Sequence, residues 1–124
     1  MINFNFNQEI ETLFNNFSVD GVTVPVAFLF YNGHGAPYVV YSETDKDAAF
    51  AADDQIAGFV CFYDFEIYSK SNYLNIANAI INILQSAGWT WQPSRDSADM
   101  YENDTGYFHK TYCFAKEIQP VNDN

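Results

Sequence analysis

Two stretches of the chain place apolar residues three and four positions apart, which is the spacing of an amphipathic helix. In the first stretch, which begins at Asn7, the apolar stripe consists of Ile10, Leu13, Phe14 and Phe17. In the second stretch the stripe is wider and consists of Tyr73, Ile76, Ala77, Ile80, Ile81, Leu84 and Ala87. The sequence therefore predicts a short N-terminal helix and a longer second helix.

Turn-forming and capping residues mark the ends of both predicted helices. The Asp20-Gly21 pair is expected to end the first helix, because both residues favour turns. Ser71 or Asn72 is expected to cap the second helix by accepting a hydrogen bond from an exposed amide. Gly88 is expected to stop it.

Four runs of β-forming residues lie between turn residues, and each run predicts a strand. The runs span residues 24–30, 38–42, 58–68 and 107–118. Pro25 cannot donate a ladder hydrogen bond, so the first run is expected to begin its strand there or to lie at a sheet edge. The alternating segment 89–91 predicts a further short strand before a polar connection at 93–99.

The run at 58–68 is the longest, and its side chains alternate between two faces. One face carries Phe59, Cys61, Tyr63, Phe65 and Ile67. The other face carries Val60, Phe62, Asp64, Glu66 and Tyr68. The first face is therefore expected in the core and the second to be mixed. Both faces of the run at 107–118 hold aromatic residues, so the sequence does not decide which of them is buried.

The order of helix, three strands, helix and hairpin predicts an α+β fold. We expect a mixed or antiparallel sheet of about four to five strands with two helices packed on one face. The length of 124 residues predicts a single domain spanning 1–124. Residues 1–23 form its N-terminal helix segment, 24–118 carry the sheet and the main helix, and 119–124 are expected to fray.

Acidic residues concentrate in the segment 44–55, which shows no sustained strand or helix period. It contains Asp45, Asp47, Asp53 and Asp54. We expect this segment to be a mobile acidic loop. Its spacing does not fit a calcium-binding loop with a bidentate glutamate, so no metal site is expected.

The charge balance argues against nucleic-acid and membrane-surface binding. Five Lys and Arg stand against 16 Asp and Glu, for a net charge of −11. Phosphate binding needs clustered cations, and the five here are scattered. At 48% hydrophobic and 19% aromatic residues, the chain is too apolar for a disordered acidic tail. It also lacks an apolar run of membrane-spanning length and a secretory signal, so a soluble intracellular protein is expected.

Candidate catalytic residues lack supporting motifs. His34 lies between two glycines in a predicted turn, and His109 and Cys113 are four positions apart along a strand, about 13 Å at ~3.3 Å per residue. That spacing is too long for direct proton transfer. Cys61 and Cys113 lie in hydrophobic runs and are interpreted as core thiols. No nucleotide-binding, serine-hydrolase or zinc-hydrolase motif is present, so neither catalysis nor a cofactor is expected.

Five segments together resemble one protein family. They are Ala36-Pro37-Tyr38-Val39-Val40-Tyr41, Ala52-Asp53-Asp54, Phe62 with Phe65-Glu66-Ile67-Tyr68, the stripe Ile76, Ile80 and Leu84 with Gly88, and the hairpin from Tyr101 to Lys110. In order and spacing these segments resemble the tail-completion, or tail-terminator, proteins of long-tailed bacteriophages. The resemblance covers roughly residues 25–117 and departs before Val24 and at 89–99.

The resemblance implies a structural virion protein that functions as a ring. Such a ring, expected to be a hexamer, caps the finished tail tube and joins it to the head connector. The implied partners are the tube protein and the connector or head-closure protein, and the implied location is the tail-head junction, after assembly in the host cytoplasm. Candidate interface or pore residues are Asp45, Asp47, Asp53, Asp54, Asp64, Glu66, Tyr38 and Tyr41. An anionic pore would repel the DNA backbone and let the genome pass.

Three alternatives remain open. An acidic DNA mimic would occupy the cationic groove of a nucleic-acid-binding enzyme, and it needs its carboxylates on one contiguous face. A head-closure or other neck protein would also be small, acidic and ring-forming. A small enzyme or ligand-binding module would use the Tyr and Phe residues to line a pocket, although aromatic residues at strand spacing are more often core.

Overall fold

A computed structural model of the chain describes residues 6–33, 35–50 and 56–118. The helices are α1 (Asn7–Leu13) and α2 (Leu74–Ser86). The strands are β1 (Ser18–Val19), β2 (Val22–Thr23), β3 (Val26–Phe28), β4 (Tyr38–Phe50), β5 (Ile56–Ser69), β6 (Thr90–Trp91), β7 (Met100–Tyr101) and β8 (Phe108–Ile118). A short 3₁₀ helix, Pro93–Arg95, follows β6.

Six of the strands form one mixed sheet, and β1 and β2 pair separately as a small hairpin. The order in the main sheet is β3-β4-β5-β8-β6, and β7 also pairs with β8. All pairs in it are antiparallel except β3 with β4, which is parallel. The predicted α+β class with two helices is confirmed, and the strand count is somewhat larger than predicted. Pro25 directly precedes the edge strand β3, as its missing N–H requires.

The main core lies between the two helices and one face of the sheet. Its strand residues include Cys61, Tyr63, Phe65 and Ile67, and its helix residues include Ile10, Ile76, Ile80 and Leu84. Phe65 is fully buried, and its ring contacts those of Phe14, Tyr41 and Phe114. The predicted core face of the long strand is therefore confirmed.

Strand β8 buries side chains on both of its faces. Tyr112, Phe114 and Ile118 pack in the main core with the helices. Cys113 and Ala115 join Phe62 in a smaller cluster on the opposite side of the sheet. This double burial explains why apolar residues occur on both faces of this strand in the sequence.

The first helix is shorter than its apolar stripe suggested. It ends at Leu13, and the predicted stop at Asp20-Gly21 is wrong. These two residues have φ values of 53° and 81° and form the two-residue turn between β1 and β2. Positive φ at both central positions matches the turn geometry that a twisted two-strand hairpin needs.

Helix α2 ends as the sequence predicts. Gly88 has a φ of 92°, and its N–H donates to the carbonyl of Gln85 at 3.2 Å. The next N–H, that of Trp89, donates to the carbonyl of Leu84 at 2.9 Å. This pair of bonds is the Schellman arrangement that satisfies carbonyls at a helix C-terminus. At the other end the N-cap is Tyr73, which makes no side-chain capping bond, so neither Ser71 nor Asn72 is the N-cap. The Asn72 side chain, one position earlier, accepts from the exposed N–H of Leu74 at 2.9 Å.

The expectation of a mobile loop over 44–55 is wrong for its described part. Strand β4 continues to Phe50 and pairs with β5 as the outer part of a long hairpin. Asp and Ala are weak strand formers, but pairing with the strongly β-forming β5 overrides that local preference. Asp53 and Asp54 lie outside the described residues, as do His34 and the end segment 119–124.

Replacing Phe65 with alanine should lower the free energy of unfolding by about 3–5 kcal/mol, because a buried phenylalanine leaves a cavity. Phe30→Ala is the matched control, since Phe30 is 74% exposed and its loss should cost less than about 0.5 kcal/mol. Urea unfolding followed by circular dichroism measures both. Similar losses in the two variants would contradict this description of the core.

Candidate interaction surfaces

The face of the main sheet that points away from the helices is the first candidate surface, and we call it the helix-free face. On β4 it carries Tyr38, Val40, Ser42, Asp45 and Asp47. On β5 it carries Val60, Phe62, Asp64, Glu66 and Tyr68. On β8 it carries His109, Thr111, Cys113, Ala115 and Glu117. These side chains are opposed in rows across the three long strands.

Charge is divided unequally between the two sides of the sheet. The helix-free face holds five strand carboxylates, those of Asp45, Asp47, Asp64, Glu66 and Glu117. The strand lysines Lys46, Lys110 and Lys116 alternate to the helix side. Cationic groups at the helix-free face include the Arg95 guanidinium and, when protonated, His109. At its margin the Lys70 ammonium lies 5.1 Å from the centre of the Tyr107 ring, which contacts Tyr38 and Tyr68. This face is therefore strongly acidic.

A β-bulge places two of these carboxylates on the helix-free face. The register shifts between Glu43, which pairs with Tyr63, and Asp45, which pairs with Phe62. A bulge adds one residue to one strand and so reverses the alternation beyond it. Without it, Lys46 would point to the helix-free face and Asp45 and its neighbour Asp47 to the other.

Arg95 connects the segment after β6 to the hairpin. Its guanidinium carbon lies 3.9 Å from the centre of the Phe62 ring, and Nη2 lies 3.3 Å from Asp45 Oδ2. Both charged side chains are more than a third exposed, so the ion pair contributes little stability. The stacked guanidinium covers the apolar part of an otherwise acidic face.

Asp64 is half-buried within this face. Burial raises the pKa of its carboxyl, and Glu66 and Asp96 raise it further, whereas a hydrogen bond with Cys113 and the nearby Arg95 oppose that change. The Glu66 side chain is 36% exposed. The predicted placement of both acids away from the core face is confirmed.

An aromatic row crosses one end of the helix-free face. The ring of Tyr68 stacks between those of Tyr38 and His109, with centroid distances of 4.8 and 4.2 Å. Carboxylates flank the imidazole: Nε2 lies 3.7 Å from Glu66 Oε1, and Nδ1 lies 3.9 Å from Glu102 Oε2. The sequence does not reveal this row, because it depends on the register that aligns β4, β5 and β8.

Tyr41 is wrongly included among the exposed interface candidates. It is 1% exposed and packs in the main core against Phe28 and Phe65. Burial raises the pKa of its hydroxyl to about 12. Side chains three positions apart on a strand point to opposite faces, so Tyr38 and Tyr41 belong to different surfaces. Tyr38 alone remains a surface candidate.

The two cysteines are core thiols, as the sequence predicts. Cys61 and Cys113 are both fully buried and unpaired. Burial is the main cause that raises the pKa of each to about 11, so both are protonated at neutral pH and weak nucleophiles. Within the described ranges, no group of three or more His, Cys, Asp and Glu side chains is arranged to hold a metal ion.

In the part of the chain that the structure describes, neither helix is long and apolar enough to cross a membrane. No protein-family model matches the sequence, and no curated protein matches it either.

The difference in unfolding free energy between Asp64→Asn and the wild type should move in favour of the variant as pH increases. Because the pKa of Asp64 is raised in the folded state, the unfolded chain ionises first, and the wild type loses stability as pH rises from the unfolded pKa of about 4 through the folded value. The variant has no such loss. Unfolding free energies measured at several pH values from about 4 to 7 should diverge in its favour.

Asp104→Asn is the control for this measurement, since Asp104 lies exposed in the turn before β8. Its stability difference from the wild type should change less with pH than that of Asp64→Asn. A difference for Asp64→Asn that stays constant or shrinks with rising pH would show that burial of the carboxylate has no net cost.

Proposed function

We propose that this chain is a structural subunit of a bacteriophage virion that forms a ring, caps the completed tail tube and joins it to the head connector. The proposed ring is a hexamer, and its role requires neither a cofactor nor a catalytic residue. Its proposed partners are further copies of itself, the tube protein and the connector or head-closure protein. Its proposed location is the tail-head junction of the virion.

The observation that carries this proposal is the acidic helix-free face. A ring through which a genome passes must not bind the phosphate backbone. Carboxylates along the lumen repel phosphates, and the absence of a lysine from the described strand positions of this face avoids attractive contacts. We propose that Asp45, Asp47 and Glu66 line or approach this lumen.

The two edges of the main sheet differ in structure, which supports assembly through contacts between unlike surfaces. Strand β4 is paired with the edge strand β3 only at positions 39–41, and the part of β4 beyond them carries a bulge and several charges. Bulges and charges protect a free edge against indiscriminate strand pairing. The opposite edge is built from β6 and β7 on β8. Two different edges on one chain favour head-to-tail contacts, and such contacts form a ring when the rotation between neighbouring copies closes.

The double variant Asp47→Lys, Glu66→Lys should slow genome ejection several-fold, because it places cations where DNA would pass. Virions carrying the variant would be compared with wild-type virions by the rate of DNA release after triggering. Glu11→Lys, Asp104→Lys makes the same change in net charge at exposed positions outside the helix-free face. This control should leave ejection unchanged.

Binding to tail tubes tests the role itself. Electron microscopy of purified tubes mixed with the chain should show density at one tube end, and light scattering should show an assembled ring with the tubes present. A head-closure protein would bind the connector and ignore the tube. Equal ejection rates for the two double variants would show that the helix-free face does not line the lumen.

A DNA mimic is the second candidate, and the structure strengthens it in one respect. Asp45 and Asp47 are not on a separate loop but share a face with Asp64 and Glu66. A contiguous acidic face is what a mimic requires. In that case the chain would inhibit a DNA-cleaving enzyme stoichiometrically, Asp47→Lys, Glu66→Lys would abolish inhibition, and tube ends would remain unbound.

A further inference from the structure

Three consecutive apolar residues are exposed where edge strand β3 ends. Phe28 is 45% exposed, and Leu29 and Phe30 are 63% and 74% exposed. We call these three residues the edge knuckle. Phe28 contacts the core residue Tyr41, so the knuckle lies at the margin of the helix side of the sheet. Water contacts most of its apolar surface in the single chain.

The backbone of the edge knuckle is strained. Leu29 has a φ of 66°, and the N–H of Phe30 donates to the carbonyl of Phe28 at 2.7 Å. This is a γ-turn in the left-handed region, which is costly for a residue with a bulky side chain. Burial of the Leu29 side chain does not offset that cost in the single chain. Strain that packing does not repay locally is typical of functional positions.

An apolar cleft opens at the other edge of the sheet. It has a volume of about 420 Å³, and Leu74, Tyr73 and Phe108 line it together with Asp99. The ring of Tyr101 extends this surface through its contact with Phe108 at 5.0 Å. We call this surface the edge cleft. Its apolar members Leu74, Tyr101 and Phe108 are all exposed.

Exposed apolar surface is concentrated at these two places. Of the eight large apolar side chains that the described part of the chain exposes, three form the edge knuckle and three belong to the edge cleft. Three strand spacings of about 4.8 Å separate β3 from β8, so one copy cannot use its own knuckle to cover its own cleft.

The distribution of charge in the sequence favours a second copy as the occupant. All 21 Asp, Glu, Lys and Arg residues lie outside two long stretches, 21–42 and 71–94. The first stretch contains the knuckle, and the second contains Tyr73 and Leu74 of the cleft. The cleft residues on β7 and β8 lie outside it, as does the exposed Asp99 carboxylate, which is paired with Lys110 at 3.5 Å. In a chain with a net charge of −11, the two stretches are the parts that can approach another copy with the least repulsion.

We propose that the edge knuckle of one copy inserts into the edge cleft of the next copy. This inference rests on the proposed ring and names the contact that closes it. The two surfaces differ and lie at opposite edges, so each copy uses one of each and the contact is head-to-tail. Joining sheets edge to edge points every helix-free face to the same side of the assembly.

Cysteine cross-linking tests this pairing directly. Asn32→Cys, two positions beyond the knuckle, and Ser71→Cys, in the lining of the cleft, each add one exposed thiol and keep every apolar residue of both surfaces. The native Cys61 and Cys113 are fully buried. With tail tubes present and a short bis-maleimide reagent, a mixture of the two single variants should give a covalent dimer and nothing larger. The double variant should give a ladder that ends at the mass of the closed ring.

The controls separate this inference from the proposed function. The wild type and each single variant alone should not cross-link. Dimers from Asn32→Cys alone would show a two-fold contact and overturn the inference. A ring on tube ends without cross-links would leave the proposed function standing and place the contact elsewhere. A chain that stays monomeric and ignores tubes would overturn both.

Leu29→Gly provides a second measurement that misfolding does not confound. Glycine adopts the positive φ without strain, so the thermal midpoint should stay unchanged or rise. Loss of the side chain should raise the concentration needed for half-maximal ring assembly by about tenfold, as for truncation of an interface anchor. Val22→Ala is the control, because Val22 is 48% exposed and lies outside both surfaces. Unchanged assembly by Leu29→Gly would contradict the inference.

Discussion

The antiparallel register between β4 and β5 is the constraint on which the surfaces of this protein depend. Strand side chains alternate with a period of two, so a shift of one residue exchanges every side chain between the core and the opposite face. The apolar alternation of β5 sets the register, because Phe65 and its neighbours must meet the helices. Beyond the bulge between Glu43 and Asp45, the same register points carboxylates away from the helices and Lys46 toward them.

The helices cover the other face of the sheet, and one lysine makes polar contacts with both of them. Lys116 points to the helix side, where Nζ lies 2.8 Å from Glu9 Oε1 on α1. The same ammonium donates to the carbonyl of Ala87 at 2.8 Å, where the negative end of the α2 dipole favours a cation. One charged group thus connects both helices and β8, and it leaves the helix-free face free of this positive charge.

Two properties of the molecule are energetically unfavourable in an isolated chain. Carboxylates that share one face repel one another, and Leu29 of the edge knuckle combines a positive φ with a side chain that is 63% exposed. Both are explained if copies assemble with the apolar edges in contact and the acidic faces directed at a lumen. A DNA mimic would explain the acidic face but not the edge knuckle, so the knuckle distinguishes the proposed ring subunit from a DNA mimic.

The sequence by itself determined the elements whose signal is local. The stripe of α2, its glycine stop, the edge position that Pro25 requires and the alternation of β5 could all be read from periodicity and side-chain chemistry. The same alternation correctly placed Asp64 and Glu66 away from the core. It also contained the reason to reject Tyr41 as a partner of Tyr38 on one surface, since the two are an odd number of positions apart.

Only the tertiary structure decided the features that depend on pairing between distant segments. The outer part of β4 is a strand because β5 holds it, although Asp and Ala favour a loop there. The bulge that turns Asp45 and Asp47 to the helix-free face, the stacking of His109 on Tyr68 and the cleft between α2 and β8 arise from register and packing. Local propensity carries no information about these features, because the interactions that create them join residues far apart in the chain.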